Sequence, residues 1–297
     1  MKRTRNVFLV MLSMCIVLTL MPKANAQDIH PLSTVEYEVS EYDVAIESEK
    51  TWTYLNSMDN TEQTAQKIQE ELIRRSLLSK EELAGRYGYT EEQIEILQAY
   101  DGGPISDNPQ LRAVTGTLRA TISCMLASTS SMRVRFNWQW RTYPVIMEVN
   151  DVIGVVWQGV SPQGTDVKLR YKSGSQNSYA TVQYYDGSMT YAYSNNVELK
   201  CIETYGGARA IIPRAEGDYF AKAGNATITV DVVGSGQVLE GSFRWAYGMA
   251  DSSSDVSISL FPLSLSIGFG SGTTEVFNDY AVFDCEGNSI KTINSKK

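Results

Sequence analysis

The chemistry open to this chain is limited first by its single imidazole. The only histidine is His30, which lies next to Pro31, close to the start of the sequence. A Ser-His-Asp or Cys-His nucleophilic site needs an imidazole held by a folded scaffold, and a chain end is a poor scaffold. Zinc catalysis usually draws on two or three histidines. The sequence therefore disfavours these enzyme classes, and we predict no catalytic residue, no metal site and no cofactor.

Carboxylates keep one enzymatic alternative open, because paired Asp or Glu residues hydrolyse glycosides without histidine. The second half of the chain offers several, and their spacing singles out no pair: Glu148, Asp151, Asp166, Asp186, Glu198, Glu203, Glu216 and Asp218. Solvated charges on strands and loops are the commoner explanation for such residues. A carboxylate-dependent glycosidase is the third of three functional hypotheses.

The cysteines favour structure over reactivity. Cys124, Cys201 and Cys285 each share the parity of apolar neighbours along an alternating segment. A cysteine on an apolar face usually behaves as a small buried hydrophobe, so we expect three unreactive thiols. A disulfide such as Cys124–Cys201 is the alternative. With three cysteines, at most one such bridge forms within the chain and one thiol stays unpaired.

Tyrosines and arginines are the strongest candidates for binding. The tyrosines Tyr179, Tyr184, Tyr185, Tyr191 and Tyr193 crowd one stretch together with several amide side chains. Rings that stack beside amides that form hydrogen bonds suit a sugar or a protein partner, although tyrosine is also simply common in strands.

Arginine alternates with apolar residues on a second segment. Arg133, Arg135 and Arg141 share one side of it. If a neighbouring strand presents Lys168, Arg170 and Lys172, the sheet gains a cationic face suited to an anionic polymer, to lipid headgroups or to the acidic part of the same chain.

The stretch 255–274, DVSISLFPLSLSIGFGSGTT, alternates serine with large apolar residues and carries no charge after Asp255. Its apolar positions are Val256, Ile258, Leu260, Phe261, Leu263, Leu265, Ile267 and Phe269, and their parity reverses at Phe261–Pro262. A bulge, a kinked strand or a hairpin tip produces such a reversal. The stretch is either a strand whose serine face is covered, or a hairpin that enters a membrane.

The elements that position these residues change type along the chain. Residues 27–60 predict an extended segment with an acidic outer face, and 61–100 predict two or three short helices with capping boxes at Ser79 and Thr90. Residues 101–111 are rich in Gly, Pro and Asp, as a linker is, and 112–297 alternate with period two between turn residues. We predict a mainly β fold: an antiparallel β-sandwich preceded by a small acidic helical segment.

The first residues and the distribution of charge indicate export. Residues 1–26 run from basic residues through an apolar stretch to Ala24-Asn25-Ala26, the order of a secretory signal cleaved near Ala26.

Residues 27–111 contain 18 acidic and 6 basic side chains, whereas 112–297 contain 16 of each. A net acidic chain without a basic stripe argues against a nucleic-acid partner. The acidic part is either an intramolecular clamp on basic strands or a removable pro-region.

Two stretches carry a resemblance. EELAGRYGYTEEQIEILQAYDGG at 81–103 and RVRFNWQWRTYPVIMEVNDVIGVVW at 133–157 resemble secreted proteins of spore-forming Gram-positive bacteria that have no assigned function. The resemblance implies a secreted architecture of short helices followed by strands, and it carries no catalytic residue.

Three functional hypotheses follow. The first is a secreted, non-enzymatic binding protein for a glycan, polymer or protein of the cell envelope. The second is a secreted membrane-active protein, bacteriocin-like or pore-forming, that uses 255–274 at a membrane surface. The glycosidase is the third.

Overall fold

Alternating apolar residues build two antiparallel sheets that pack face to face. The computed structural model describes residues 30–55, 60–146, 150–213, 215–216, 219–250, 258–270 and 273–292, without the side chains of 50–55, 60–63, 215–216, 291 and 292. The expected signal segment 1–26 lies outside these residues. The predicted fold class, an antiparallel β-sandwich with helices before it, is confirmed.

The element bounds are as follows. The helices are α1 (Glu41–Leu55), α2 (Asn60–Ser76), α3 (Lys80–Tyr87) and α4 (Glu91–Gln98). The strands are β1 (Ser33–Ser40), β2 (Thr117–Ala127), β3 (Ser131–Trp140), β4 (Asn150–Val160), β5 (Asp166–Val167), β6 (Leu169–Tyr171), β7 (Tyr179–Tyr185), β8 (Tyr191–Val197), β9 (Lys200–Glu203), β10 (Gly207–Pro213), β11 (Ala215–Glu216), β12 (Tyr219–Val232), β13 (Glu240–Ala250), β14 (Ile258–Phe261), β15 (Ser266–Phe269), β16 (Thr273–Asp284) and β17 (Ser289–Thr292).

The strands form two main sheets. Sheet 1 has the order β1-β2-β3-β12-β7-β8, with β6 and β11 also paired to β12. Sheet 2 has the order β17-β16-β13-β4-β10-β9, with β5 paired to β4. A separate hairpin joins β14 and β15.

Aromatic rings from both sheets fill the space between them. Phe136 on sheet 1 stacks on Trp245 and Phe277 of sheet 2, with ring centroids 5.5 and 5.3 Å apart. The Trp140 indole donates a hydrogen bond of 3.1 Å to the Tyr247 hydroxyl across the same interface. Alternate residues of each strand therefore face the core, and the others form an outer face on each sheet.

The helices pack onto this sandwich through a buried charged network. The Arg75 side chain is fully buried and donates to Glu71 and to the Tyr89 hydroxyl, both at 2.8 Å, and to the backbone oxygens of Pro144 and Val145. Burial disfavours the charged guanidinium, but Tyr89 and Glu71 outweigh it and raise the Arg75 pKa. A buried charge keeps its place only when paired and hydrogen-bonded in this way.

A second buried charge, the Glu41 carboxylate, holds the acidic strand β1 and helix α1 on the sandwich. Glu41, 1% exposed, accepts backbone hydrogen bonds from Gly116 at 2.7 Å, Val145 at 2.6 Å and Ile146 at 2.9 Å. The preceding strand β1 pairs with β2 over its whole length, from Ser33 to Ser40. This segment is an integral edge of sheet 1, which favours the clamp over the removable pro-region.

One expected element is wrong in type. Residues 41–55 are helical as α1, whereas an extended segment was expected over 27–60. The acidic residues Glu41 and Asp43 occupy the first turn, where they stabilise the helix dipole. Alternation ends at Ser40, and the apolar residues of 41–55 are not spaced regularly enough to indicate one helical face.

Both capping boxes are confirmed, at Ser79 with Glu82 and at Thr90 with Gln93. The stretch 101–111, expected to be a linker, contains one short 3-10 helix, Ile105–Asp107, and most of a second, Pro109–Ala113. Ile105 and Leu111 are fully buried there, so this stretch belongs to the core.

Candidate functional site

The outer face of sheet 1 brings two of the predicted clusters together. Arg135 on β3 donates to the Thr227 hydroxyl at 3.1 Å and to the Tyr179 hydroxyl at 3.0 Å. Arg133 lies two residues away and donates to the Thr229 hydroxyl at 3.0 Å. The order β3-β12-β7 explains the contact, because β12 lies between the arginine strand and the tyrosine strand.

Both guanidiniums keep neutral partners. Arg133 also donates to the backbone oxygen of Gln176 at 3.2 Å. Within the described ranges, neither arginine forms an ion pair with a carboxylate. Two half-buried positive charges that only neutral oxygens contact can attract an anionic group from outside.

Other predicted basic residues are neutralised within the chain. Arg141 pairs with Glu38 at 2.9 Å, and the neighbouring Arg119 pairs with Glu36 at 2.8 Å. Lys172 lies 3.3 Å from the carboxylate of Asp231. The acidic strand β1 therefore acts as a clamp on Arg119 of β2 and on Arg141, which directly follows β3. Arg141 is separate from the Arg133–Arg135 pair.

The tyrosine cluster divides between the two faces. Tyr184 is a correction to the predicted surface set, because it points into the core at 1% exposure and donates to the backbone oxygen of Pro213. Tyr193 stacks on it with centroids 4.8 Å apart. Tyr185 and Tyr191 lie together on the outer face, in an edge contact of 5.6 Å. Period-two alternation along β7 makes this division.

A polar groove of about 490 Å³ lies between these two outer clusters. Its floor is the β12 backbone at Ala223 and Gly224. Ala223 presents only a methyl group to the groove, whereas the absent side chain of Gly224 would face the core, where the Trp138 ring fills the space. Its walls come from five strands: Thr34 and Glu36 on β1, Arg119, Thr121 and Ser123 on β2, Asn137 and Gln139 on β3, Gln183 on β7 and Asn225 on β12.

Several groove side chains hold one another in place. Asn137 donates to the Thr121 hydroxyl at 2.8 Å, and Thr34 and Ser123 share a hydrogen bond of 2.9 Å. The Asn225 side-chain oxygen is buried and has no hydrogen-bond partner among the described residues. Buried polar atoms without partners cost free energy unless a ligand or water satisfies them.

A cation and a ring lie just outside the groove lining, next to Ala223 on β12 and beyond Gln183 on β7. The Lys222 ammonium lies 4.7 Å from the centre of the Tyr185 ring. Partial burial lowers the Lys222 pKa. From Tyr179 past Gln183 to Tyr185 is six residues of strand, roughly 20 Å at the usual rise per residue. The outer face thus offers an extended track of hydroxyls and amides with positive charge at both ends.

In the sequence, the groove was indicated only by the alternation of polar and apolar residues along β2, β3, β7 and β12. Its polar positions are mostly amides and hydroxyls where a merely solvated face usually has Lys and Glu. The missed residues include Asn137, Gln139, Gln183 and Asn225. Strand order, which decides that they converge, could not be read from the sequence.

The stretch 258–269 is a hairpin lying on the outer face of sheet 2, so the parity reversal at Pro262 marks a hairpin tip. Ile258, Leu260 and Ile267 pack on Val156 and Ala246, and Leu265 and Phe269 are partly buried beside them. At the tip, Phe261 is 52% and Leu263 94% exposed. Val256 lies outside the described residues.

Glycines in sheet 2 make room for this hairpin. A Cβ added at Gly154 would lie 2.4 Å from the Ile258 side chain. A Cβ at Gly206 would lie 2.1 Å from the ring of Pro262. Because these glycines have no side chain, the hairpin packs closely against them.

The thiols and carboxylates are the remaining groups with chemistry of their own. Over the described ranges, no group of three or more His, Cys, Asp or Glu residues could hold a metal ion. Cys124, Cys201 and Cys285 are free thiols, and burial raises the pKa of Cys124 to about 11. No helix in the part of the chain that the structure describes has the length and hydropathy to cross a bilayer.

Comparisons with known proteins identify no family. No protein-family model matches the sequence, and no curated protein matches it. The chain is similar to the KRT10-binding region domain of the pneumococcal serine-rich repeat protein PsrP, with 12% identity and a TM-score of 0.23 over 54% of this chain and 88% of that one.

A second solved structure is described as manganese lipoxygenase of Gaeumannomyces graminis with a partial structure of zonadhesin of Komagataella pastoris. It has 10% identity and a TM-score of 0.23 over 56% of this chain and 66% of that one. At these TM-scores, neither similarity informs function.

Proposed function

We propose that this is a secreted, non-enzymatic binding protein that holds a glycan chain of the cell envelope along the outer face of sheet 1. The observation that carries the proposal is the groove over Ala223 and Gly224, with its partnerless Asn225 oxygen. Sugar hydroxyls both donate and accept hydrogen bonds, so they suit a surface of amides and hydroxyls.

The positive ends of the groove indicate which glycan fits. Along the strands, Arg133 and Arg135 lie beyond the lining residues on one side, and Lys222 lies beyond them on the other. An anionic substituent on the chain would satisfy the guanidiniums, whose planar donors suit carboxylate and phosphate groups. We therefore expect an anionic envelope polysaccharide to bind more tightly than a neutral one, and the difference to shrink as salt rises.

Retention on insoluble envelope polymer tests this proposal. Wild-type protein is mixed with purified cell-wall polysaccharide, with and without its anionic groups, and the bound fraction is measured at low and high salt. Ala223→Leu fills the groove floor and should remove most binding, whereas Gln139→Ala should weaken it severalfold. The matched control is Gln158→Ala, on sheet 2, where the side chain donates to Asp166 at 3.0 Å.

Two results would contradict the proposal. One is equal retention of wild type and Ala223→Leu, and the other is absence of retention on every envelope fraction. Release of reducing sugar that one Asp or Glu substitution abolishes would replace binding by hydrolysis.

A second candidate function is contact with a membrane surface through the hairpin. Its specific support is the exposed apolar tip, Phe261 and Leu263, beside an uncharged serine-rich arm. Apolar side chains presented together to water often mark an interaction site. On release from sheet 2, the two arms would carry apolar residues on one face and serines on the other.

Dye release from liposomes tests this candidate. Wild type should release dye, and the double variant Ser264→Lys, Ser266→Lys should not, since charge in the arm opposes entry into lipid. Ser242→Lys, on β13 of sheet 2, serves as the control. If folded wild-type protein releases no dye, with or without proteolytic processing, the membrane function is contradicted.

A further inference from the structure

The edge strand β8 presents an unprotected backbone to solvent. It pairs antiparallel with β7 along one side, and no other strand of the described chain pairs with its free side. Five of its residues are exposed: Tyr191, Ala192, Ser194, Asn195 and Asn196. The free side of such a strand carries unpaired backbone donors and acceptors, which can template another strand.

The other sheet edges are protected. Strand β1 carries Glu36 and Glu38, and its Tyr37 hydroxyl donates to the backbone oxygen of Tyr280 on sheet 2. The sheet 2 edges β9 and β17 are only four residues long. Charge, cover and short length are the usual protections against edge-to-edge pairing.

Strand β8 has none of these protections. Its sequence YAYSNNV spans seven residues without charge, proline or glycine. The strand is also held firmly from behind, because Tyr193 packs on Tyr184 and, edge-on at 5.6 Å, on Tyr219. A rigid, neutral edge loses little conformational freedom when a partner strand docks.

We propose that a second copy of this chain occupies this edge, pairing β8 antiparallel with its own β8 about a two-fold axis at Ser194. That register places Ser194 opposite Ser194 of the partner subunit, and every residue opposite one of the same parity, so inner and outer faces stay continuous. No like charges meet, because the strand has no charge. Two-fold self-pairing is the commonest symmetry of soluble oligomers.

The dimer would join the two sheets into one. The main path of sheet 1 has six strands, so the joined sheet has twelve. The two copies of β12 would then lie five strand spacings apart, about 24 Å. If the proposed function holds, two grooves share one continuous face and bind one polymer chain bivalently. The pairing itself does not depend on that function.

Sedimentation velocity of the purified protein over a range of concentrations tests the pairing. Wild type should show a monomer–dimer equilibrium, and Ser194→Lys should weaken the dimer about tenfold or more, because it places two ammonium groups opposite each other at the axis. Thr181→Lys is the matched control, since Thr181 lies on β7, opposite Asn196 and away from the axis. It should leave the dimer unchanged.

Cysteine cross-linking gives a second readout, which reports the register of the pairing. Ser194→Cys should form a disulfide-linked dimer in mild oxidant, because directly opposite Cβ atoms lie about 4.5–5.5 Å apart. Asn196→Cys should not, because Ala192 of the partner subunit would lie opposite it. A monomer at every concentration, a dimer unaffected by Ser194→Lys, or equal cross-linking of both cysteine variants would overturn the proposal.

Discussion

Replacing Glu41 by glutamine should destabilise the protein by about 3–5 kcal/mol. One carboxylate oxygen accepts from Gly116 and Val145, and the other accepts from Ile146. A glutamine amide can place its oxygen at the first position, but its NH₂ group then faces the Ile146 N–H. The unsatisfied donor costs about 1–3 kcal/mol, and two charge-assisted bonds become neutral at about 1 kcal/mol each.

Urea unfolding of wild type and Glu41→Gln measures this difference. The change corresponds to a loss of roughly 10 °C in melting temperature for a chain of this size. The matched control is Glu38→Gln, three residues earlier, whose partner Arg141 is 52% exposed. Exposed ion pairs contribute less than about 1 kcal/mol, so the control should change little.

A loss below about 1 kcal/mol for Glu41→Gln, equal to that of Glu38→Gln, would refute the reasoning. It would mean that the Glu41 carboxylate does not hold α1 and β1 onto the sandwich. The acidic segment would then be separable from the strands, as a pro-region is.

Three further predictions concern other parts of the fold. Arg75→Lys should lower the free energy of unfolding by about 3 kcal/mol or more, because one ammonium cannot replace a guanidinium that contacts four groups. The control Arg74→Lys, at a half-exposed neighbour, should lower it by less than about 1 kcal/mol. Chemical unfolding measures both. Gly206→Ala should speed hydrogen exchange of amides in 263–268 and leave β3 and β12 protected, since its Cβ displaces the Pro262 ring. Gly85→Ala in helix α3, with no atom within 4 Å of the added Cβ, should leave exchange in 263–268 unchanged. Equal exchange of 263–268 in both variants would contradict the glycine fit. Mass spectrometry after alkylation of native protein at pH 8 should find Cys124 unmodified, because a pKa of about 11 leaves roughly one thiol in a thousand ionised. The alkylation rate should rise with pH until that pKa is passed. Rapid labelling of Cys124 at pH 8 would contradict this prediction.

The fold class could be predicted because period-two alternation survives in most strands. Met132 to Trp140 alternates apolar and polar residues, and the structure buries every apolar member. Helix α1 could not be predicted, because its apolar residues do not keep a helical spacing along the segment and its position depends on tertiary contacts such as those of Glu41. Local patterns carry no information about such distant partners.

The candidate site was predictable only in pieces. Arg135 and Tyr179 stood out by residue type, but they are 44 positions apart and meet only because β12 returns between β3 and β7. Tyr184 was misplaced because a bare count of tyrosines ignores the parity that turns it inward. The groove depends on the small side chain of Ala223 among larger polar neighbours on other strands, a signal that no sequence motif carries.

The most direct test of glycan binding at sheet 1 is a titration of labelled protein with soluble envelope polysaccharide, followed by NMR of side-chain amides. Binding in the groove predicts shifts at Asn137, Gln139, Gln183 and Asn225, with Gln158 on sheet 2 unchanged. Shifts confined to the hairpin 258–269, or no shift with any anionic or neutral polysaccharide, would contradict it.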